Sequence, residues 1–362
     1  MFPRKTTHRT CRWTAAALLI ICLLLTGCGN RPAEQSASLT ENTPEETSAA
    51  AEPAVQQEPL VLRCALSVPF EHPEAQALFR MQKALEEASG GRLRIDISTD
   101  GALAETDEVA LEKVREGQLE MALVSSAALR AIAPDFAVFS VPFQIDSPEH
   151  MHCILTSGDP VLSALYAEAE TGGVAVLSAF AALPTGFFLR EATPEDPAAW
   201  NGLRLAVMDS ASAGPLAAAG AVILDLPESA VYPMLLTGEL DGAEGDMYTW
   251  LQDVYYAEAP YYVNLSFHAF PDLLIVNIGT MEKRTEAEKK LLWQLADEAA
   301  ADSYAETVSL TETLAEQAVE SGVVILEADP AAFRDLYEEE LRSMRDSSPI
   351  AEALVALIEN TR

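Results

Sequence analysis

Two segments of the chain carry polar side chains that are suited to binding a small solute. Residues 114–122 and residues 235–243 share one order: the end of an apolar segment, a glycine, a leucine, an acidic residue and an alanine. We expect each to be a helix that ends at its glycine, followed by a short strand. Ser125 and Ser126 follow the first strand, and residues 244–246 follow the second. Their hydroxyl and carboxylate oxygens can hold a ligand by hydrogen bonds.

The shared order of these segments predicts two α/β lobes built on the same plan. Ligands of open α/β sheets sit beyond the carboxyl ends of the strands. Polar strand ends in both lobes therefore predict a cleft between them. The alternative is a chance similarity, because helix–glycine–strand junctions are common.

Signatures of the common enzyme classes are missing from the sequence. It has no Gly-x-Ser-x-Gly, no phosphate-binding loop and no Cys-x-x-Cys, and its five histidines are scattered. We therefore expect neither a metal nor a cofactor, and a binding protein rather than an enzyme. Glu244 and Asp246 have the residue types of a glycoside hydrolase pair, which is the enzymatic alternative.

The N-terminus combines the features of an export signal. Four basic residues precede an apolar run over residues 15–25, which is too short for a comfortable transmembrane span. The run ends in Leu25-Thr-Gly-Cys28, an order that resembles the lipobox of bacterial lipoproteins. The resemblance implies that residues 1–27 are a signal peptide and that Cys28 is acylated. The alternatives are an ordinary secretory signal and an uncleaved anchor.

The segment after Cys28 predicts a tether, and the overall charge indicates which partners the protein would repel. Residues 28–59 are rich in Glu, Ser, Thr, Ala, Pro and Gln, which predicts a disordered acidic tether. The chain has 23 basic and 56 acidic residues, a net charge of −33. Such a surface repels nucleic acid and anionic lipid headgroups, so neither is an expected partner. We expect an exported domain that is attached to the cell membrane only by the lipid at Cys28.

Hydrophobic periodicity from Leu60 onward predicts a β-α-β-α-β start, hence a mostly parallel sheet with helices on both faces. The second helix is expected over about 105–116. Later strands are predicted at 173–179, 203–208, 221–225, 273–277 and 323–327. Residues 285–321 lack Gly and Pro, which predicts one very long helix or two helices with a soft kink. Cys64 and Cys153 are expected to be separate small apolar residues, with a disulfide as the alternative.

Several segments occur in the order and spacing of one transport family. They are His72-Pro73 and residues 85–93, 111–126, 133–143, 226–232 and 237–244. Over about residues 62–341 the chain resembles the substrate-binding proteins of tripartite ATP-independent periplasmic (TRAP) transporters. The resemblance implies an α/β, bilobed periplasmic-binding-protein-like fold, with two mixed α/β domains joined by hinge strands and a long helix. Lobe I is expected at 60–184 plus about 271–300, and lobe II at 185–270 plus about 301–362.

The resemblance also implies a function. Such a protein is a monomer that captures a small organic molecule, often an organic acid, in the interlobe cleft. It delivers this solute to integral-membrane TRAP permease subunits. The alternative is a ligand-presenting sensor subunit for a membrane signalling receptor, which would have the same fold.

One position departs from the family pattern. Members usually hold a substrate carboxylate with an arginine in the strand predicted at 203–208, and here Ala206 occupies that position. Arg204 is expected to be a surface charge, and Gly245 replaces an expected asparagine. A buried carboxylate without a bidentate cation is costly to desolvate.

Two interpretations of this departure stay open. Either Arg190 or Arg130 supplies a relocated anchor, or the solute is not a simple carboxylate. A neutral polyol, a cationic compound and a metal-bridged acid would each tolerate the acidic residues expected at the cleft. We favour the second interpretation.

The predicted solute-binding residues are His72, Ser125, Ser126, Phe187, Phe188, Arg190, Asp209, Glu228, Glu244 and Asp246. Several have a structural alternative: His72 can cap a helix, Glu244 can act at a hinge, and the serines can satisfy loop amides. The two phenylalanines can belong to the core. The aromatic residues within 250–262 are expected to pack helix against sheet rather than to form a ligand cage.

Overall fold

The computed structural model describes residues 59–192, 196–328 and 330–362. The predicted signal peptide, Cys28 and the predicted tether up to residue 58 lie outside these residues. Within them, the strands are β1 (Leu60–Ala65), β2 (Leu93–Ser98), β3 (Met121–Ser125), β4 (Val174–Phe180), β5 (Gly186–Leu189), β6 (Arg204–Ala206), β7 (Val222–Leu224), β8 (Gly242–Gly245), β9 (Tyr261–Asn264), β10 (Asp272–Asn277) and β11 (Val324–Glu327).

The helices of the same residues alternate with these strands. They are α1 (Pro73–Ala88), α2 (Asp107–Arg115), α3 (Ser126–Leu129), α4 (Pro148–Leu155), α5 (Pro160–Thr171), α6 (Gly214–Ala218), α7 (Glu228–Thr237), α8 (Met247–Gln252), α9 (Ile278–Glu282), α10 (Glu286–Glu320), α11 (Pro330–Arg334), α12 (Glu338–Arg345) and α13 (Pro349–Thr361). None of the helices described combines the length and the apolarity that crossing a membrane requires.

The first sheet has the strand order β2-β1-β3-β10-β4. Strand β1 is parallel to β2 and β3, whereas β10 is antiparallel to β3 and β4. Alternate residues point to opposite faces, so that Leu62 and Cys64 belong to one apolar cluster and Ala65 to another. Helix α1 covers the first face and α5 the second, as expected for a mostly parallel sheet. We call the elements on this sheet lobe I.

The second sheet has the strand order β11-β9-β5-β8-β6-β7 and mixes parallel with antiparallel pairs. It is also buried on both faces, since Phe187 lies in one apolar cluster and its neighbour Phe188 in another. We call the elements on this sheet lobe II. Residues 181–185 and 265–271 connect the two sheets. The chain therefore has the predicted bilobed α/β fold, with two mixed sheets.

Helix α10 is a single helix of 35 residues. It begins at a capping box, in which the Glu288 N–H donates to Thr285 Oγ1 at 3.2 Å and the Thr285 N–H donates to Glu288 Oε2 at 3.0 Å. Leu292 and Ala296 pack in a cluster of lobe I, and Ala318 packs in a cluster of lobe II. The helix therefore contributes to both cores, which explains how so long a helix is stabilised.

The C-terminal helix departs from the predicted lobe boundaries, which assign residues 301–362 to lobe II. The buried side chains of α13, including Leu354 and Ile358, lie in the same apolar cluster as α4 and α5 of lobe I. The assignment of residues 349–361 to lobe II is therefore corrected. The physical reason is the apolar stripe of α13, which is buried against lobe I.

The two cysteines of the folded part lie in different elements. Cys64 is in β1 and is 1% exposed, and burial raises the pKa of its thiol to about 12. No disulfide joins it to Cys153, which lies in α4. Cys64 therefore packs as a small apolar residue.

Candidate functional site

A cavity of about 280 Å³ lies at the carboxyl ends of β6 and β8. The side chains that line it and matter for its chemistry are those of Ala206, Glu228, Glu244, Asp246, Trp250 and Tyr255. A larger groove of about 640 Å³ lies between α6 and α12 but is more open to solvent. The position of the smaller cavity agrees with the rule that ligands sit beyond the carboxyl ends of strands.

Lobe I presents a cluster of carboxylates at the corresponding end of its sheet, of which Glu74 is buried and Asp107 and Asp272 are half-buried. Glu74 lies in the first turn of α1 and is 1% exposed, Asp107 opens α2, and Asp272 opens β10. Asp272 is directly opposite Ser125 in the pairing of β10 with β3. The Ser125 N–H donates to Asp107 Oδ2 at 2.8 Å. Three elements therefore bring three carboxylates together with Ser125.

Burial and mutual repulsion shift the protonation of this cluster. Burial, together with the charge of Asp272, raises the pKa of Glu74 well above its ordinary value. Burial, together with the charge of Asp107, raises the pKa of Asp272 to about 7. Burial also raises the pKa of Asp107, although Ser125 hydrogen bonds oppose the shift. The side chains of Glu74 and Asp272 share a hydrogen bond, which two carboxyl groups form only when one of them holds a proton.

The two lobes meet at this point. The ring of His72, the residue before α1, lies edge-on to Tyr248 of α8 with centroids 5.4 Å apart. Burial lowers the pKa of His72, and the charge of Asp246 opposes the shift. Asp246 is the N-cap of α8, where its Oδ1 accepts from the Thr249 N–H at 2.9 Å. His72 is also an N-cap residue, but its side chain makes no capping hydrogen bond. The acid cluster of lobe I and the cavity of lobe II therefore face one cleft.

Glu244 has both carboxylate oxygens in a buried network between the two lobe connections. Its Oε1 accepts from Thr185 Oγ1 at 2.6 Å and lies 2.7 Å from His268 Nδ1. Its Oε2 accepts from the Met208 N–H at 3.0 Å. His268 Nε2 lies in turn 3.0 Å from Ser212 Oγ. Thr185 and His268 belong to the two segments that join the sheets, so the geometry favours the hinge alternative for Glu244.

An ion pair also joins the two lobes, and one of its partners, Asp209, follows Met208 of this network directly in the sequence. Arg130 Nη1, at the end of α3 in lobe I, lies 2.7 Å from Asp209 Oδ2 in lobe II. The Asp209 side chain is 6% exposed and also accepts from the Ala211 N–H at 3.1 Å. Both partners are therefore engaged with protein groups, and Arg130 is not free to anchor a carboxylate solute.

Seven of the ten predicted solute-binding residues are absent from the lining of the cavity: His72, Ser125 and Asp209, whose places are described above, and the four that follow. Phe187 and Phe188 are both fully buried; Phe188 stacks on Trp250 with ring centroids 4.2 Å apart, which places it in the layer beneath the cavity wall. Ser126 is fully buried, and its N–H donates to the Pro271 carbonyl at 2.9 Å. Arg190 follows β5 at the end away from the cleft, beside Gly238. Strand β5 starts at the cleft and runs away from it, which places Arg190 too far from the cavity.

The aromatic residues within 250–262 divide between two roles. Tyr261 and Tyr262 lie in β9, whereas Trp250 and Tyr255 line the cavity. Trp250 packs α8 on β5 through Phe188, as the sequence predicts, and it also forms part of the cavity wall with Tyr255. Spacing along the chain did not separate the two roles, because they depend on which face of lobe II each element covers.

The position of the expected arginine is part of the cavity wall. Arg204 lies at the start of β6 and pairs with Asp241 at 2.7 Å, which matches its expected surface role. Ala206, two residues on, lines the cavity. No Lys or Arg is among the described residues that line it. Nowhere in the described part of the chain do three or more His, Cys, Asp or Glu side chains form a group that could hold a metal ion.

Comparison of the sequence with known proteins identifies one family. The profile of "DctP: Bacterial extracellular solute-binding protein, family 7" matches residues 65–347. A Chromohalobacter salexigens protein described as "Solute-binding protein" is 25% identical over 297 residues, which cover 81% of this chain and 87% of that protein. The protein YiiZ of Salmonella typhimurium, described as uncharacterized, is 25% identical over 222 residues, which cover 61% of this chain and 67% of YiiZ.

Solved structures share the fold at lower identity. A TRAP periplasmic solute-binding protein from Chromohalobacter salexigens with bound D-glucuronate has a TM-score of 0.77 at 23% identity, over 83% of this chain and 100% of that one. One from Sulfitobacter with bound β-D-galacturonate has a TM-score of 0.75 at 19% identity, over 83% and 100%. The family profile covers most of the chain and the relatives share its two-lobed fold. The chain therefore belongs to the DctP family of bacterial extracellular solute-binding proteins, family 7.

Proposed function

We propose that this protein is an extracytoplasmic solute-binding lipoprotein, which delivers a small polar organic molecule to the integral-membrane subunits of a TRAP-type secondary transporter. The lipid at Cys28 attaches it to the cell membrane. The observation that carries the proposal is the pairing of the lobe II cavity with the carboxylate cluster of lobe I across one cleft. Relatives in the same family hold sugar acids in structures of the same fold.

The mechanism is closure of two lobes around the solute. The connections at 181–185 and 265–271 act as the hinge, and the Glu244 network holds these connections together. Closure of lobes about a hinge is a common way to trap a ligand and to signal its presence to a partner. The closed form is then the one that the permease recognises.

Within the cleft, His72, Ser125, Glu228 and Asp246 are the predicted residues that we assign to the solute. His72 and Ser125 belong to the lobe I side, and Glu228 and Asp246 line the lobe II cavity. Glu244 and Asp209 position the lobes and do not have their carboxylates free for a solute. The solute is therefore held from both lobes, which couples binding to closure.

A thermal-shift screen of the mature domain tests the proposal. A solute that binds only the native state raises the melting temperature by an amount that grows with its concentration. We expect a few related small metabolites out of several hundred to do so, and Asp246→Asn to weaken the shift. The matched control is Asp96→Asn, which removes an exposed carboxylate from β2. If no metabolite stabilises the protein, the solute-binding function is wrong.

A further inference from the structure

We propose that the solute is a small organic cation, a protonated amine whose ammonium group lies among the carboxylates of Glu74, Asp107, Asp246 and Asp272. This inference rests on the proposed function of the cleft and names the chemical class of its solute. The carboxylates come from four different elements and from both lobes.

The side chain of Glu74 is buried and has few hydrogen-bond donors. It is 1% exposed, and apart from the hydrogen bond that it shares with the Asp272 carboxyl group, neither of its carboxylate oxygens has a donor among the described residues. His72 Nδ1 lies 3.5 Å from Glu74 Oε2 and is itself a buried atom without a partner. A buried carboxylate without donors is costly, so a group that supplies them is stabilised at this position. An ammonium group carries three donors and no acceptor.

The charged groups around Glu74 and in the cavity wall are acidic. Asp107, Asp272 and Asp246 all lie near enough to raise the pKa of Glu74 by their charge. Asp246 and Glu228 continue the acidic wall into the lobe II cavity. Arg130, at the end of α3, is paired with Asp209, and Arg204, at the start of β6, is paired with Asp241. The cleft therefore has an excess of negative charge that protein cations do not balance.

The wall of the lobe II cavity would contact the part of the solute that does not carry the ammonium group. Trp250, held by its stacking on Phe188 at 4.2 Å, and Tyr255 offer aromatic surface to the cavity. Aromatic faces attract organic cations as well as apolar carbon. The cavity volume of about 280 Å³ is about nine times the ~30 Å³ that a water molecule occupies in the liquid. This size fits a molecule with a single ring or a short chain.

A sugar acid of the kind bound by relatives fits this site poorly. Its carboxylate would enter a cluster of four carboxylates at a position where Ala206 offers no charge. A neutral polyol could form hydrogen bonds, but the carboxylates would keep their unfavourable charge or hold protons. The amine is the one of the three classes that is both a donor and a counter-ion.

Isothermal titration calorimetry with matched probes tests the inference. Two triplets vary the charge on one scaffold: glucosamine, glucose and glucuronate, and ethanolamine, ethylene glycol and glycolate. We expect an amine to bind at least tenfold more tightly than its neutral and acidic counterparts. Tightest binding by an acid or a neutral member overturns the cation but leaves solute binding intact. If neither these probes nor a charge-sorted metabolite library binds, both this inference and the proposed function are wrong.

Substitutions in the carboxylate cluster test whether it causes the preference for a cationic solute. Glu74→Gln keeps the shape of the side chain, and we expect it to weaken the best amine at least tenfold. Glu87→Gln makes the same change at an exposed position of α1 and is expected to bind like the unmodified protein. Asp246→Asn tests the cluster from lobe II, independently of the folding of α1. Unchanged amine affinity in both cleft variants would contradict the inference.

Discussion

At the scale of single residues, the exchange of one side chain sets the chemical character of the cleft. Ala206 lines the cavity at the position where the family resemblance predicts a carboxylate-binding arginine. Glu74 and Asp272 add carboxyl groups with raised pKa values. Burial raises both, the charge of Asp272 raises the pKa of Glu74 further, and the charge of Asp107 raises that of Asp272. A missing cation and surplus carboxylates act in the same direction, because both disfavour an anionic solute.

Restoring the arginine should change the charge preference. In Ala206→Arg, we expect glucuronate affinity to become measurable by calorimetry and binding of amines to fall at least tenfold. The guanidinium gives a carboxylate two parallel hydrogen bonds and repels an ammonium group. Ala217→Arg, at an exposed position of α6, is the matched control. Tight binding of organic acids to the unmodified protein would show that Ala206 does not determine the preference.

Residue types near the cleft could be predicted from the sequence, but their orientation could not. His72, Glu228 and Asp246 were predicted and lie at the cleft, whereas Phe187 and Phe188 were predicted and lie in the core. Neighbours in a strand point to opposite faces, and both faces of the lobe II sheet are covered. The sequence prediction therefore had no outward face to assign to either phenylalanine.

At the scale of elements, two contacts join the lobes near the proposed hinge. The Glu244 network joins the connections at Thr185 and His268, and the Arg130–Asp209 pair bridges lobe I and lobe II. The short strands β5 and β9 bring these connections together, and the sequence analysis did not predict either strand. Each has four residues, which is too few for the alternation of polar and apolar positions to stand out.

Removal of the bridging arginine should favour the open arrangement. Because Arg130 belongs to lobe I and Asp209 to lobe II, we expect opening of the cleft to separate them, so that their pairing stabilises the closed form. For Arg130→Ala we expect solute affinity to fall roughly tenfold, since a charge-assisted hydrogen bond contributes about 1.5 kcal/mol.

Small-angle scattering should show a larger radius of gyration for this variant without solute. The control is Arg80→Ala, which removes an exposed arginine that pairs with Asp302 and Glu306 of α10. Equal affinity and equal dimensions in the two variants would show that the bridge has no role in closure.

At the scale of the whole molecule, acidic charge has two separate consequences. The net charge of −33 favours solubility and repels anionic lipid headgroups. The carboxylate cluster of lobe I instead makes folding depend on pH. A carboxyl group whose pKa is higher in the folded than in the unfolded state binds more protons when folded, so its contribution to stability falls as pH rises between the two values.

This pH dependence can be measured through Asp272. Its pKa is raised from 3.8 to about 7, so the loss of stability falls between about pH 4 and pH 7. We expect Asp272→Asn to gain stability over the unmodified protein across this range, by at most about 4 kcal/mol. Glu74, Asp107 and Asp246 also face this group and are unchanged in the comparison.

Urea unfolding at pH 4.5, 6 and 7.5, without added solute, gives the difference in the free energy of unfolding. Asp96→Asn is the control, because it removes an exposed carboxylate from the same sheet. A stability difference between Asp272→Asn and the unmodified protein that does not change with pH would contradict the assignment.

The proposed membrane attachment is tested in whole cells. We expect Cys28→Ser to abolish incorporation of labelled palmitate and to release the protein from the membrane fraction. Cys64→Ser is the control, since this buried cysteine lies within the folded domain. Labelling that persists in the Cys28 variant would show that the lipid is absent or lies elsewhere.

The sequence by itself determined the α/β class, the first β-α-β-α-β unit, the long helix and the family. These follow from hydrophobic periodicity, from helix ends marked by glycine and from ordered motifs, all of which are local along the chain. The tertiary structure alone decided that α13 completes lobe I, that Arg190 is far from the cavity and that Trp250 and Tyr255 line it.

The same is true of the carboxylate cluster, which the sequence analysis did not predict. Glu74, Asp107 and Asp272 are separated by tens of residues or more, and each looks like an ordinary surface acid at the start of its element. Only the packing of α1, α2 and β10 on one sheet edge brings them together and removes water from them. Their chemistry comes from that desolvation, which is a property of the folded assembly of elements and not of any segment.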